Sequence, residues 1–233
     1  MTTKIASKNR PKVHHVKAVI FDLDGTLVHS AVDFKLLRKE TITFLVSKGL
    51  TAEQFSTDMK TLEIMQLATD LFQKNGLPEH DILLINREVE ELWNRVELRT
   101  VDKTTPIEGA RETLVKLKER DIKIGIVTRG CREYAIEALK RTQLLELVDV
   151  IVGRGDTYQP KPSPDPLNKA IQMLNLTNDE VVMVGDNIND AQCAWSAKVR
   201  FMGVHLEPTK DSLRDSRCRI VLTDLVKLFE RLN

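Results

Sequence analysis

No apolar run in the chain approaches the roughly 20 residues that a bilayer-spanning helix requires, so the sequence predicts no membrane contact of that kind. It also lacks an excess of charge, since 35 Lys and Arg against 34 Asp and Glu leave a net charge of +1. Without a broad field to hold nucleic acid or an anionic membrane, any bound anion must be gripped locally, and the expected partner is small. The three cysteines, Cys131, Cys193 and Cys218, include no CxxC pair and cannot all pair with one another. Free thiols suit a reducing compartment, and the cytoplasm is the expected location. There is no internal repeat and no low-complexity tract. Residues 1–15 are polar and basic without an apolar signal core, and read as a loose arm. The remaining composition, 42% hydrophobic and 30% charged, is that of a globular domain.

Five short β-branched apolar runs recur, at Val16 to Phe21, Ile122 to Val127, Val148 to Val152, Val181 to Val184 and Val199 to Val204. Continuous hydrophobicity over so few residues predicts strands covered on both faces, as in a parallel sheet. Helix-length stretches separate them at Ile107 to Glu119, Arg132 to Lys140, Pro164 to Leu174 and Ile188 to Ala197, so the expected class is α/β with a doubly wound, Rossmann-like parallel sheet. A short strand at Arg219 to Leu222 and a helix at Leu225 to Leu232 would close the chain. The first two strands are separated by far more chain than one crossover needs. Residues 31–102 read as a helical insert in a discontinuous core of residues 16–30 and 103–233. In the insert, Phe34, Leu37, Phe44 and Leu45 form a stripe ending at Gly49. Thr51 and Gln54 form a capping box ahead of Phe55, Met59 and Leu62. After Pro78, the residues Ile82, Ile85, Val89, Leu92, Trp93 and Val96 recur at helical spacing. These stripes are expected to form the insert's own core.

In such a sheet the loops at the carboxyl ends of the strands form the ligand crevice. The first strand ends in Asp22, Asp24, Gly25 and Thr26, and the second in Thr128, Arg129 and Gly130. Lys161 follows the third, and the fourth ends in Gly185-Asp186-Asn187-Ile188-Asn189-Asp190. Carboxylates gathered there repel unless a cation lies among them, and oxygen ligands with phosphate favour Mg²⁺. Asp22 and Asp186 with the Asp24 carbonyl meet its needs, and Asp190, one helical turn on, would hold a bound water or the lysine from behind. Thr128, Lys161 and amides of the loop through Gly130 would donate to phosphate. Asp22 would attack phosphorus while Asp24 handles the leaving-group proton. Taken singly the same residues have plainer readings: a surface turn for Asp22 and Asp24, helix capping for Asp186 and Asp190, solvated or strand-end positions for Lys161 and Thr128. Cys131 reads as a passive small residue, His14 and His15 as surface residues, and Arg214, Arg217 and Arg219 as a solvated edge.

The run Asp22-Leu23-Asp24-Gly25-Thr26, Thr128, Lys161 and Gly185 to Asp190 together resemble the four motifs of the haloacid dehalogenase superfamily, over nearly the whole chain after residue 15. The resemblance is to members with a C1-type helical cap, phosphoglycolate phosphatase-like and β-phosphoglucomutase-like. It implies a Mg²⁺-dependent phosphohydrolase with the nucleophile at Asp22, acid/base at Asp24, phosphate contacts at Thr128 and Lys161, and metal ligation by Asp22, Asp24 and Asp186. It further implies an aspartyl-phosphate intermediate, a small phosphorylated metabolite as partner, and a monomer or weak homodimer. Phosphoryl transfer within one sugar phosphate, or phosphate sensing without turnover, are the alternatives. Two positions depart from the pattern. Arg129 replaces the usual asparagine, adding a cation for phosphate or pointing to solvent. Lys198 replaces the glycine that often closes the helix after motif four, at a cost of about 1 kcal/mol if that position is left-handed.

Overall fold

The computed structural model describes residues 15–205, 213, 218 and 220–232. The expected arm lies outside the described residues except for His15, which is exposed, and His14 and the cluster Arg214, Arg217 and Arg219 lie outside them too. In chain order the elements are β1 (Ala18–Phe21), β2 (Val28–His29), α1 (Phe34–Ser47), α2 (Thr61–Lys74), α3 (Glu79–Thr100), β3 (Thr105–Pro106), α4 (Ala110–Lys118), β4 (Lys123–Cys131) and α5 (Arg132–Arg141). They continue with β5 (Val150–Arg154), α6 (Asp165–Met173), β6 (Val181–Gly185), α7 (Ile188–Ser196), β7 (Arg200–Val204) and β8 (Val221–Leu222). Six strands pair in the order β5-β4-β1-β6-β7-β8, every pairing parallel.

β1 alternates its side chains between two buried layers, as a pleated strand must. Val19 and Phe21 join Leu114 and Leu117 of α4 and Ala135 and Leu139 of α5. Ala18 and Ile20 join Leu167 and Ala170 of α6 and Ala191 and Ala194 of α7. From β1 the chain crosses to β4 on one side and later to β6 on the other, which opens the crevice above the central strand.

The helical insert leaves through β2 and returns through β3, whose antiparallel pairing sets Val28 against Pro106 and His29 against Thr105. All six stripe residues of α3 are buried. Instead of forming a separate core, they share one buried cluster with Leu37, Ile64, Val19 and Phe21, so the insert packs continuously onto one face of the sheet. Thr51 and Gln54 do form their capping box, yet it starts only a single 3₁₀ turn, Ala52–Gln54. Phe55 is already extended at φ −125°, and α2 begins at Thr61 and buries Ile64, Ala68 and Phe72 instead of Leu62. Phe34 opens α1 largely exposed, since one turn of helix carries the stripe onward to Leu37 and Leu45. The closing segment Leu225–Glu230 is 3₁₀, not α-helical. Lys198 takes a left-handed φ of 57°, and the amides of Lys198 and Val199 close the helix on Trp195 O and Ala194 O at 3.0 and 2.8 Å.

Candidate active site

Asp22 follows the last residue of β1, and its amide bonds Val184 O of β6 at 2.9 Å, tying the first strand end to the fourth. The chain then folds tightly on itself, with Gly25 N on Val28 O at 2.8 Å and Val28 N on Leu23 O at 3.1 Å. Gly25 has φ +88°, and a Cβ there would stand 2.4 Å from Asp186 Oδ2. Glycine is therefore required twice, for backbone angle and for room beside a carboxylate. Asp22, Asp186 and Asp190 each place a carboxylate oxygen within 4.8 Å of the others.

Lys161 lies under this cluster and is 1% exposed. Its ammonium donates to Asp22 Oδ1 at 2.5 Å, to Asp190 Oδ1 at 2.7 Å and to Val127 O at 2.7 Å. An ammonium has three hydrogens, so all are in use, and the free phosphate donor expected from sequence is in this arrangement a clamp on carboxylates. Burial alone would drive the proton off Lys161, but Asp190 and Asp22 reverse this and raise its pKa above the ordinary value. Asp190 also accepts from Asn187 N at 3.1 Å through its second oxygen, so it caps α7 and holds the lysine at once.

Between Val127 and Cys131, β4 spends two residues more than β5 does between Val152 and Arg154. This bulge lifts Thr128, Arg129 and Gly130 out of the ladder at the crevice. Thr128 is buried and accepts from Gly130 N at 3.0 Å, which leaves its own hydroxyl proton to give. At this loop Gly130 N donates to Thr128 Oγ1 and Cys131 N to Glu97 Oε2, both at 3.0 Å. Arg129 is half-buried, and burial lowers its pKa against the opposing pull of Asp190 and Asp22. No other side chain among the described residues hydrogen-bonds its guanidinium. Cys131 accepts from Tyr134 N at 3.4 Å, and burial raises its thiol to about 11, so it is an inert cap of α5.

Asp24, two residues beyond Asp22, accepts from the Tyr134 hydroxyl at 2.6 Å. Burial and then the neighbouring charge of Asp22 raise its pKa to about 7, in spite of that hydrogen bond. Two features went unseen in the sequence. Nothing in the sequence pattern singles out Tyr134, the sole hint being that a buried phenol needs a partner for its hydroxyl. Glu97 is 5% exposed and forms a two-pronged pair with Arg154, Nη1 donating to Oε1 at 2.7 Å and Nη2 to Oε2 at 2.9 Å. Arg154 also donates to Asn94 Oδ1 at 2.6 Å and Arg129 O at 3.0 Å, and lies 5.2 Å from the Trp93 ring centre. This knot joins α3 to the strand ends of β4 and β5, and no local pattern signals it across 57 residues of chain.

Among the described residues, no helix is long and apolar enough to cross a membrane. The chain is 33% identical over 199 residues to the pyrophosphatase PpaX of Halalkalibacterium halodurans, covering 79% of this chain and 81% of that one. It is 30% identical over 188 residues to the phosphoglycolate phosphatase of Nitrosospira multiformis, covering 78% and 80%. A crystal structure of a HAD family hydrolase from Deinococcus radiodurans, with bound phosphate and sodium, shares the fold with a TM-score of 0.59 at 24% identity, covering 94% and 96%. Residues 19–204 match the family of haloacid dehalogenase-like hydrolases. With that match spanning five of the six sheet strands, the insert and all four strand ends, the chain belongs to the haloacid dehalogenase-like hydrolases and is an enzyme of that family.

Proposed function

We propose that this enzyme is a Mg²⁺-dependent phosphatase that hydrolyses a small phosphomonoester through an aspartyl phosphate on Asp22. The observation that carries this reading is the pairing of two unlike aspartates on one turn. Asp22 is charge-clamped by Lys161 at 2.5 Å, while Asp24 is raised to about 7 and poised to exchange a proton. Asp22 attacks phosphorus as the ester oxygen leaves, and Asp24 delivers its proton to that oxygen. Asp24 then takes a proton from water, whose oxygen attacks the aspartyl phosphate, so phosphate departs and both aspartates are restored. Thr128 donates its hydroxyl proton to a phosphate oxygen, and Lys161 keeps the attacking oxygen of Asp22 oriented. A set of hard carboxylate oxygens within 4.8 Å, beside a glycine that keeps Asp186 in place, fits a small divalent cation. Asp22, Asp186 and the Asp24 carbonyl would hold Mg²⁺, with Asp190 behind them; bound there, it offsets carboxylate and phosphate charge.

Residues 31–102 serve as the cap over a core of residues 16–30 and 103–233, since the Glu97–Arg154 knot seats α3 at the carboxyl edge. Arg129 supplies a second cation to the substrate. Relatives named for pyrophosphate and phosphoglycolate favour substrates with a second anionic group, which a half-buried guanidinium would receive. The test is phosphate release from p-nitrophenyl phosphate and from a panel that includes both named compounds. Release should require Mg²⁺, stop with EDTA, and fall by at least about 10³-fold in Asp22→Asn. Turnover that survives EDTA, or that Asp22→Asn retains, refutes the mechanism.

A further inference from the structure

We propose that Tyr134 is a positioning residue for proton transfer, its phenol hydroxyl fixing the Asp24 carboxyl to the outgoing chain crossing of the helical insert. The proposal rests on the acid/base role of Asp24 given above. Tyr134 is 1% exposed on α5, and Gly130 leaves room for its ring, since a Cβ there would come within 2.9 Å of Tyr134 Cδ1. Its hydroxyl stands 2.6 Å from Asp24 Oδ1 and 3.0 Å from Ser30 Oγ. A phenol has one proton, and with that proton on the carboxylate oxygen, Ser30 must be the donor in the second bond. Ser30 lies in the outgoing crossing, directly after β2, and its oxygen also accepts from Val32 N at 3.3 Å. In the returning crossing stands Thr104, whose buried Oγ1 has no hydrogen-bond partner. One oxygen therefore meets the acid and the outgoing end of the insert.

The chemical consequence concerns which carboxyl oxygen works. Oδ1 of Asp24 is held as an acceptor, so the transferable proton resides on Oδ2, and the carboxyl cannot turn away from the leaving group. Without the phenol, the group rotates and the proton is shared between two oxygens, only one of which faces the ester. In kcat/KM, which ends at phosphoryl transfer to Asp22 and so precedes the hydrolytic step, the loss should appear only where a proton must be delivered to the leaving group. An alkoxide leaving group needs it, whereas p-nitrophenolate departs without it.

Tyr134→Phe keeps the ring and removes the hydroxyl. We expect kcat/KM for an alkyl phosphate to fall by about 10-fold, a fraction of the full effect of a general acid. On p-nitrophenyl phosphate it should stay within about 2-fold, because that ester skips the proton step. Equal losses on the two esters, or none, overturn the proposal. If Tyr134→Phe does not fold, Ser30→Ala decides by the same two substrates, with a smaller selective loss expected and an equal change on both overturning it. Asp24→Asn separates the two levels of inference. If it keeps the wild-type rate on the alkyl ester, the acid/base assignment fails and this proposal with it. If it is silent there while Tyr134→Phe behaves as wild type, only the role of Tyr134 falls.

Discussion

The carboxyl edge of the sheet and the helical insert above it are built on opposite terms. At the edge, three carboxylates and one ammonium share a volume a few ångströms across, every hydrogen of Lys161 has a named acceptor, and a single added carbon at Gly25 would collide with Asp186. In the insert, packing is done by apolar volume. Leu83, Leu84 and Phe34 stay about half exposed, and most polar links inside it lie at the surface, buried ones being Trp93 Nε1 on Thr41 Oγ1 at 2.8 Å and Thr41 Oγ1 on Leu37 O at 2.7 Å. Position is fixed by geometry in the first region and by volume in the second. Substitutions should therefore be read through activity at the edge and through stability in the insert.

Lys161→Met offers the largest break. It leaves Asp22 and Asp190 facing each other without their cation, and phosphate release should drop by roughly 10²- to 10³-fold. A variant within threefold of wild type would mean that the edge tolerates change as the insert does. Glu97→Ala acts where the regions meet. It strands Arg154, whose side chain is 11% exposed, and should cost about 3 kcal/mol or more in urea unfolding. A loss under about 1 kcal/mol would show that the knot is solvated and the regions are loosely joined.

How far the sequence reaches divides along the same line. The strands were legible because residues such as Val19 to Phe21 are covered on both faces and admit no polar alternation. The strand ends were legible because a parallel sheet sends them all to one edge. Lys198 was legible as a left-handed position because the helix must close there whatever residue is present. The Thr51 box misled because a cap satisfies amides without supplying the apolar stripe that sustains a helix, and Phe55 turns away after one turn. Donor commitment was out of reach. That Lys161, Gly130 and Cys131 each donate to a protein acceptor follows from partners 34 and 139 residues away, or from a bulge whose depth only pairing reveals.

Two smaller measurements sharpen the contrast. Thr41→Val leaves the Trp93 indole N–H unpaired in the insert, so stability should fall by about 1–2 kcal/mol while kcat/KM on p-nitrophenyl phosphate stays within twofold. A comparable fall in activity would show that the insert transmits small shifts to the edge. Asp149, at the opposite end of the sheet, gives the smallest effect. Burial raises its pKa, but the Ile124 amide at 2.8 Å and then Lys118 and Lys123 outweigh it and hold it below the usual carboxylate range. A depressed folded value means stabilisation that is present above the unfolded value, about 3.9, and lost as pH falls through the folded one. The melting difference between wild type and Asp149→Asn should thus be steady from neutral pH to about pH 5 and shrink below about 4. A difference that grows in acid would contradict this sign.

The β2–β3 ribbon has a consequence for how such an enzyme changes over time. Because Val28 faces Pro106 and His29 faces Thr105, the chain departs from the core and rejoins it at one point, like a socket. Anything whose ends meet can be plugged in there without disturbing the register of the parallel strands, and lengthening it adds little closure entropy. Removal is another matter. Leu37, Ile64 and Val89 share a buried cluster with Val19 and Phe21, so excising the helices would expose apolar surface continuous with the core. The join is easy to extend and hard to remove, so the insert tolerates substitution more readily than loss.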